Sequence, residues 1–94
     1  MKWEESGEAE VCEIQDFGYR YHVGPEEFSG GRIEYTCQTQ VEKVTESEFN
    51  GVDDQYWWEH TETLGHAETP EGAKVIAQKH LKGQIARLQK ILRT

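Results

Sequence analysis

The sequence predicts an α+β domain, in which an antiparallel β-sheet of three or four strands, connected as a meander, packs against one long C-terminal α-helix. Between about residues 9 and 64, apolar and polar residues alternate with the two-residue period of half-buried strands. From about residue 70 to residue 92, apolar residues recur at steps of three and four, as in an amphipathic helix. Because 94 residues bury one modest core, we expect residues 1–94 to form a single domain.

The first strands are predicted in three segments, AEVCEI, DFGYRYHV and RIEYTCQTQV. The first segment carries Cys12 and Ile14 on one face. In the second segment the apolar face consists of Phe17, Tyr19, Tyr21 and Val23. In the third segment it consists of Ile33, Tyr35, Cys37, Thr39 and Val41. Turns are predicted at GPEEFSGG, residues 24–31, and at FNGVDD, residues 49–54, which contains an Asn-Gly pair.

The last strand is predicted in DDQYWWEHTETLGHAET, residues 53–69. Counting by two places one set of side chains on a single face, namely Tyr56, Trp58, His60, Glu62 and Leu64. We expect Trp58 and Leu64 to meet the helix and Trp57 to lie across the exposed face of the sheet.

The helix has a well-marked start. Thr69 is a good N-cap, Pro70 suits the first helical position, and Glu71 lies where the helix dipole favours an anion. Gly83 in the middle suggests a close backbone approach or a slight bend. The apolar stripe consists of Ala73, Ile76, Ala77, Leu81, Ile85, Leu88 and Leu92. This helix is longer than short strands require, so we expect its last turns to overhang the sheet.

Charge divides the chain into two unlike parts. Residues 1–68 contain 4 Lys or Arg and 17 Asp or Glu, a net charge of −13, whereas residues 69–94 contain 6 and 1, a net charge of +5. The acidic part would repel nucleic acid and attract a basic protein surface. The N-terminal residues lack the apolar run of a secretory signal, and no segment approaches the roughly 18 apolar residues of a membrane span, so a cytoplasmic location is expected. In that compartment Cys12 and Cys37 are expected to be reduced, buried thiols rather than a disulfide.

The sequence gives less support to a metal-binding, catalytic or phosphate-binding site than to the strands and turns described above. Four possible metal ligands lie close together in sequence: Glu59, His60, Glu62 and His66. Their spacing does not match that of common zinc sites, and in a straight strand His60 and His66 would lie about 20 Å apart on the same side. No serine has a nucleophile-elbow sequence around it, and Gly30 and Gly31 do not begin a phosphate-binding loop. We therefore predict no catalytic residue, cofactor or metal.

The closing segment TPEGAKVIAQKHLKGQI, with the tryptophan-containing strand before it, resembles the C-terminal helix of many short orphan proteins encoded by phages and prophages. The resemblance covers about residues 56–85. Small acidic phage proteins of this kind include inhibitors of host defence, such as anti-CRISPR and anti-restriction proteins, and some of these occupy nucleic-acid-binding surfaces with their carboxylates. The resemblance therefore implies an inhibitor, without assigning a role to any residue.

The first functional hypothesis is a non-enzymatic, anti-CRISPR-like interaction module in the host cytoplasm, which binds a basic nucleic-acid-binding groove of a host protein and not nucleic acid or membrane. The expected partner-binding residues are Glu26, Glu27, Glu42, Glu46, Glu48, Asp53, Asp54 and Trp57. The alternative is a dimeric structural or adaptor protein that self-associates through the helix residues Leu81, Ile85, Leu88 and Ile91. A small metal-dependent enzyme is the third interpretation.

Overall fold

A computed structural model describes residues 1–14, 17–45 and 55–92. Its elements, in chain order, are β1 (Glu4–Ser6), β2 (Ala9–Ile14), β3 (Tyr19–Phe28), β4 (Arg32–Thr45), β5 (Gln55–Ala67) and α1 (Pro70–Leu92). The described strands form one five-stranded antiparallel sheet in the order β1-β2-β3-β4-β5. The predicted class, meander and helix bounds are confirmed, whereas the strand count is five rather than three or four. The additional strand is β1, whose three residues gave no usable alternation.

The turn between β3 and β4 is shorter than predicted. It occupies only residues 29–31, where Gly30 and Gly31 have φ values of 85° and 76°. Pro25 lies within β3 opposite Tyr35 of β4, beyond the part of β3 that pairs with β2. At this position β3 has no paired residue on its β2 side, so the missing N–H of Pro25 removes no ladder hydrogen bond there. Phe17 was expected on the apolar face of a strand but lies in the preceding turn, 79% exposed.

Two β-bulges change the side-chain alternation of β5. The register with β4 shifts between Cys37 and Gln38 and again between Thr39 and Gln40. Each bulge inserts one extra residue and so reverses the face of the side chains beyond it. Leu64 is the extra residue of the first bulge and packs against the core, as predicted, and Thr61 is the extra residue of the second. Only the second bulge lies between Leu64 and Trp58, so Trp58, opposite Glu42, lies on the face away from α1.

Trp57 lies on the helix side of the sheet, opposite Lys43. The predicted positions of Trp57 and Trp58 are therefore wrong, and each occupies the face assigned to the other. The alternation was counted from Leu64, and the single reversal of faces at Thr61, between Leu64 and Trp58, is the physical reason for the error.

The core lies between the sheet and the first half of α1. Its buried residues are Cys12, Tyr21, Val23, Cys37, Ala73 and Ala77. The two alanines bring the helix backbone close to the strands, and Ile76 faces Gly65, where a Cβ would lie 3.2 Å from the Ile76 Cδ1 atom. The buried Tyr21 hydroxyl hydrogen-bonds to Nδ1 of His80 at 2.8 Å, and burial raises the Tyr21 pKa above its usual range.

The predicted N-cap is confirmed. The Gly72 amide donates to the Thr69 hydroxyl at 3.1 Å, and the Ala73 amide donates to the Thr69 carbonyl at 3.2 Å. Only glycine fits at position 72 without a steric clash, because a Cβ there would lie 2.9 Å from the Cβ of Ala67. Gly83 meets nothing within 4 Å, so the close approach considered for it is absent.

Candidate interaction surface on the open face of the sheet

The side of the sheet that faces away from α1, hereafter the outer face, carries two networks of polar contacts. It is identified by the pleat, because Tyr21 and Cys37 point to the helix and their strand neighbours point away. On the three long strands its side chains are those of Arg20, His22, Glu26, Phe28, Arg32, Glu34, Thr36, Gln38, Gln40, Glu42, Val44, Tyr56, Trp58, His60, Thr63 and His66.

One network on this face connects three strands. The Nε of Arg20 donates to the side-chain oxygen of Gln40 at 2.6 Å, and the guanidinium lies 4.2 Å from the ring centre of Trp58. The amide nitrogen of Gln40 then donates to Nδ1 of His60 at 3.1 Å. The His60 ring contacts the ring of His22 edge to face, with 5.5 Å between centroids. The network holds Arg20 flat on the sheet, with its charge already engaged.

A second network lies towards the β3–β4 turn. The Thr36 hydroxyl donates to Oε2 of Glu26. Because its single hydrogen is used there, the Thr36 oxygen accepts from Nδ1–H of His66, 2.9 Å away. The Phe28 ring packs on the His66 ring at 5.1 Å. Thr36 is only 5% exposed, so the arrangement fixes the Glu26 carboxylate and does not present a hydroxyl nucleophile to solvent.

A small cleft opens beside Glu26. It has a volume of about 140 Å³ and is lined by His22, Gly24, Pro25, Glu26, Thr36 and Gln38. Small-molecule sites usually measure about 300–1,000 Å³, so this cleft is too small for a typical substrate. Nδ1 of His22 is buried without a hydrogen-bond partner among the described residues. Burial lowers the pKa of His22, and His60 and Arg20 lower it further.

Carboxylates on this face exceed the cations that neutralise them. Glu26 and Glu34 lie directly opposite each other on β3 and β4, a like-charge pair that destabilises a sheet. Arg32 lies 3.6 Å from Glu34, whereas the group beside Glu26 is the His66 ring, whose Nδ1 lies 3.8 Å from the Glu26 carboxylate. Glu42 lies farther along the same face, opposite Trp58. The described part of the outer face therefore has a surplus of negative charge.

The predicted partner-binding residues are not all on one surface. Glu26 and Glu42 lie on the outer face, whereas Glu27, opposite Ile33, points to the helix side near the turn, as does Trp57 farther along the sheet. Four predicted residues lie outside the described residues, namely Glu46, Glu48, Asp53 and Asp54. Sequence reasoning missed the contribution of Arg20, His22, Gln40, Trp58 and His60. Gly65 in the strand interior was the available signal for a bulge that changes faces.

In the described parts of the chain, the residues considered for metal binding or nucleophilic catalysis do not lie together in one site. There, no group of three or more His, Cys, Asp or Glu side chains is arranged to hold a metal ion. Of the four candidate ligands, His60 and His66 lie on the outer face and Glu59 and Glu62 on the helix side. Cys12 and Cys37 are free and buried, and burial raises the pKa of Cys37 to about 11, so its thiol is not activated as a nucleophile.

A larger cavity, of about 560 Å³, lies where α1 leaves the sheet near the N-terminus. Its lining consists of Met1, Lys2, Glu4, Cys12, Glu13, Ile14 and Leu81. The raised pKa of Cys12, which follows from its burial, gives this cavity no reactive thiolate.

Within the described ranges, no helix is long and apolar enough to cross a membrane. Comparisons of the chain with protein-family models, with curated proteins and with solved structures found no match.

Proposed function

We propose that this protein is a non-enzymatic interaction module, which binds a basic, nucleic-acid-binding surface of another protein through the carboxylates of its outer face. The observation that carries the proposal is the Glu26–Glu34 pair, since directly opposed like charges cost stability in a sheet. A binding partner that supplies positive charge would remove this repulsion. Complementary charge also accelerates association and selects the partner.

The two arginines described on the outer face are engaged within the protein. Arg20 is fixed by Gln40 and Trp58, and Arg32 lies beside Glu34 and 5.8 Å from the Phe28 ring centre. Neither of these described arginines lies within 4 Å of a carboxylate oxygen of Glu26 or Glu42. The surplus carboxylates are held on strands, and Glu26 is further fixed by Thr36, so the surface loses little side-chain freedom when it binds.

The cleft beside Glu26 supplies a docking point for one cationic side chain of the partner. Its volume of about 140 Å³ is several times the roughly 30 Å³ that one water occupies in the liquid, and below that of a small-molecule site. Glu26 provides the anion, and Thr36 and Gln38 also line the cleft. An arginine or lysine side chain is the group that this carboxylate suits best.

The resemblance of the C-terminal segment to phage-encoded orphan proteins supports a more specific proposal, that the partner is a host defence nucleoprotein and the protein its inhibitor. The competing explanation is that the carboxylates only keep a small domain soluble. The two explanations differ in whether the position of the charges matters, and this difference determines the experiment.

The experiment compares two variants of equal net charge in affinity capture from a bacterial lysate. In E26Q/E42Q the outer face loses two charges, and in the control E68Q/E71Q two exposed charges are lost near the start of α1. We expect wild type and the control to retain the same nucleic-acid-binding proteins, displaced by added polyanion, and E26Q/E42Q to retain at least about tenfold less. Equal retention by all three proteins would contradict the proposal and favour the solubility explanation.

A further inference from the structure

The second half of α1 extends beyond the sheet. Ala73 and Ala77 are completely buried, whereas every residue from Lys82 to Leu92 is exposed. The apolar stripe nevertheless continues past the sheet, with Ile85, Leu88 and Leu92 exposed by 47%, 59% and 85%. The segment from Lys82 to Leu92, hereafter the overhang, carries Lys82, Arg87 and Lys90 and no acidic residue. It is a basic helix with an uncovered apolar face.

The helix side of the sheet has a corresponding uncovered area. The helix covers Cys37, Leu64 and Ala67, but β4 and β5 continue away from it towards residues 45 and 55. On this continuation Trp57 is 47% exposed, and Glu59 lies opposite the half-buried Val41. We call this area the bare patch; it consists of Val41, Lys43, Trp57, Glu59 and Glu62. Its centre is apolar, and its net charge is −1, because it has two carboxylates and one lysine, Lys43, which lies 3.9 Å from Glu59.

The total accessible area indicates that a surface of interface size is uncovered. The chain exposes 7338 Å², whereas a compact monomer of its mass exposes about 5,600 Å². The excess, roughly 1,700 Å², exceeds the approximately 800 Å² that each partner contributes to a standard protein interface. This excess belongs to the whole molecule, and the exposed apolar side chains of the overhang and the bare patch contribute part of it.

The charges of the overhang and the bare patch determine which of these surfaces can pack on each other. Two overhangs packed on each other would bring Lys82, Arg87 and Lys90 of both copies together, which is unfavourable. The overhang on the bare patch instead places these cations near Glu59 and Glu62, and the leucine stripe on Trp57. A two-fold axis repeats this contact, because each copy offers both surfaces.

We propose that the protein forms a reciprocal homodimer, in which the overhang of each copy packs on the bare patch of the other. The outer face remains open on both copies, so this assembly is independent of the acidic-face function. The dimer also gives the basic half of α1 its role, which is to bind the acidic sheet of its own partner copy.

The test uses two charge-reversed variants and sedimentation equilibrium. R87E/K90E makes the overhang acidic, and E59K/E62K makes the bare patch basic. We expect wild type to dimerise and each variant alone to have a dimer Kd raised at least about tenfold. An equimolar mixture of the two variants should form heterodimers with wild-type affinity, since both contacts are again complementary. Recovery in the mixture also shows that each variant chain is correctly folded.

Two controls separate this arrangement from other dimers. E13K/E42K changes the net charge as much as E59K/E62K does, but on the outer face, and should leave the dimer Kd unchanged. R87E/K90E mixed with wild type should not form heterodimers at wild-type affinity. A wild-type monomer at the highest soluble concentration would overturn the proposal. So would an E59K/E62K variant that dimerises normally, or strong pairing of R87E/K90E with wild type, which a helix-on-helix dimer would give.

Discussion

His22 lies in an environment that disfavours the charged form of its ring. Its ring packs against Gly24, where a Cβ would lie 3.0 Å from the His22 Cε1 atom, and against the ring of His60. Burial, His60 and Arg20 all lower its pKa in the folded protein. The neutral imidazole is therefore the form that the outer face accommodates, and protonation opposes folding.

This environment predicts an acid-sensitive stability. The folded pKa of His22 is below its unfolded value of about 6.5, so the unfolded chain binds more protons as the pH falls. The contribution of His22 is fully present above about pH 6.5 and is lost as the pH falls through the lowered folded value. Thermal unfolding of wild type and His22→Gln between pH 7.5 and 5 measures it. The melting temperature should fall more steeply with acidification in wild type; parallel pH profiles would contradict the assignment.

At the scale of elements, α1 consists of two parts with different constraints. Its first turns are held against the sheet, and Gly72 has no room for a side chain because Ala67 lies 2.9 Å from the Cβ position. Gly83 is also a glycine, but it lies in open space, with nothing within 4 Å of its Cβ position. The same substitution, glycine to alanine, at these two positions therefore compares a packed environment with an open one on a single helix.

Glycine-to-alanine replacement should have opposite effects at these positions. Gly83→Ala removes the helix-propensity penalty of glycine and should raise the free energy of unfolding by about 0.5–1 kcal/mol. Gly72→Ala forces atoms apart and should lower it by about 1–3 kcal/mol. Urea denaturation followed by far-ultraviolet circular dichroism measures both changes. A destabilising Gly83→Ala would mean that the side of the helix at Gly83 is not open.

The sequence could predict features that depend on neighbouring residues, but not features that depend on the pairing of strands. Thr69, Pro70 and the 3–4 spacing are local signals, so the bounds of α1 were predicted correctly. The faces of Trp57 and Trp58 were predicted wrongly because a bulge depends on pairing between strands and has no local signature beyond Gly65. The exposed carboxylates Glu26 and Glu42 could be identified as surface candidates. The network through Gln40 could not, because it requires the register of three strands.

At the scale of the whole molecule, the fold is a thin slab measuring 49 × 45 × 22 Å. Its radius of gyration is 16.1 Å, compared with about 12 Å for a compact domain of this length. The thickness corresponds to one sheet and one helix, so few residues are fully buried and most of the chain contributes to two broad surfaces. The fold therefore has two broad surfaces, the outer face and the helix side, and we propose a different partner for each.

The central claim is that the outer face binds cationic groups at the cleft beside Glu26. The most direct measurement is an NMR titration of the wild-type protein, E26Q/E42Q and E68Q/E71Q with an oligoarginine peptide. The account predicts saturable shifts in wild type and in E68Q/E71Q for the amides around Gly24, Thr36 and Glu42, and their loss in E26Q/E42Q. Unchanged shifts at those amides in E26Q/E42Q, or shifts concentrated around Glu68 and Glu71, would contradict it.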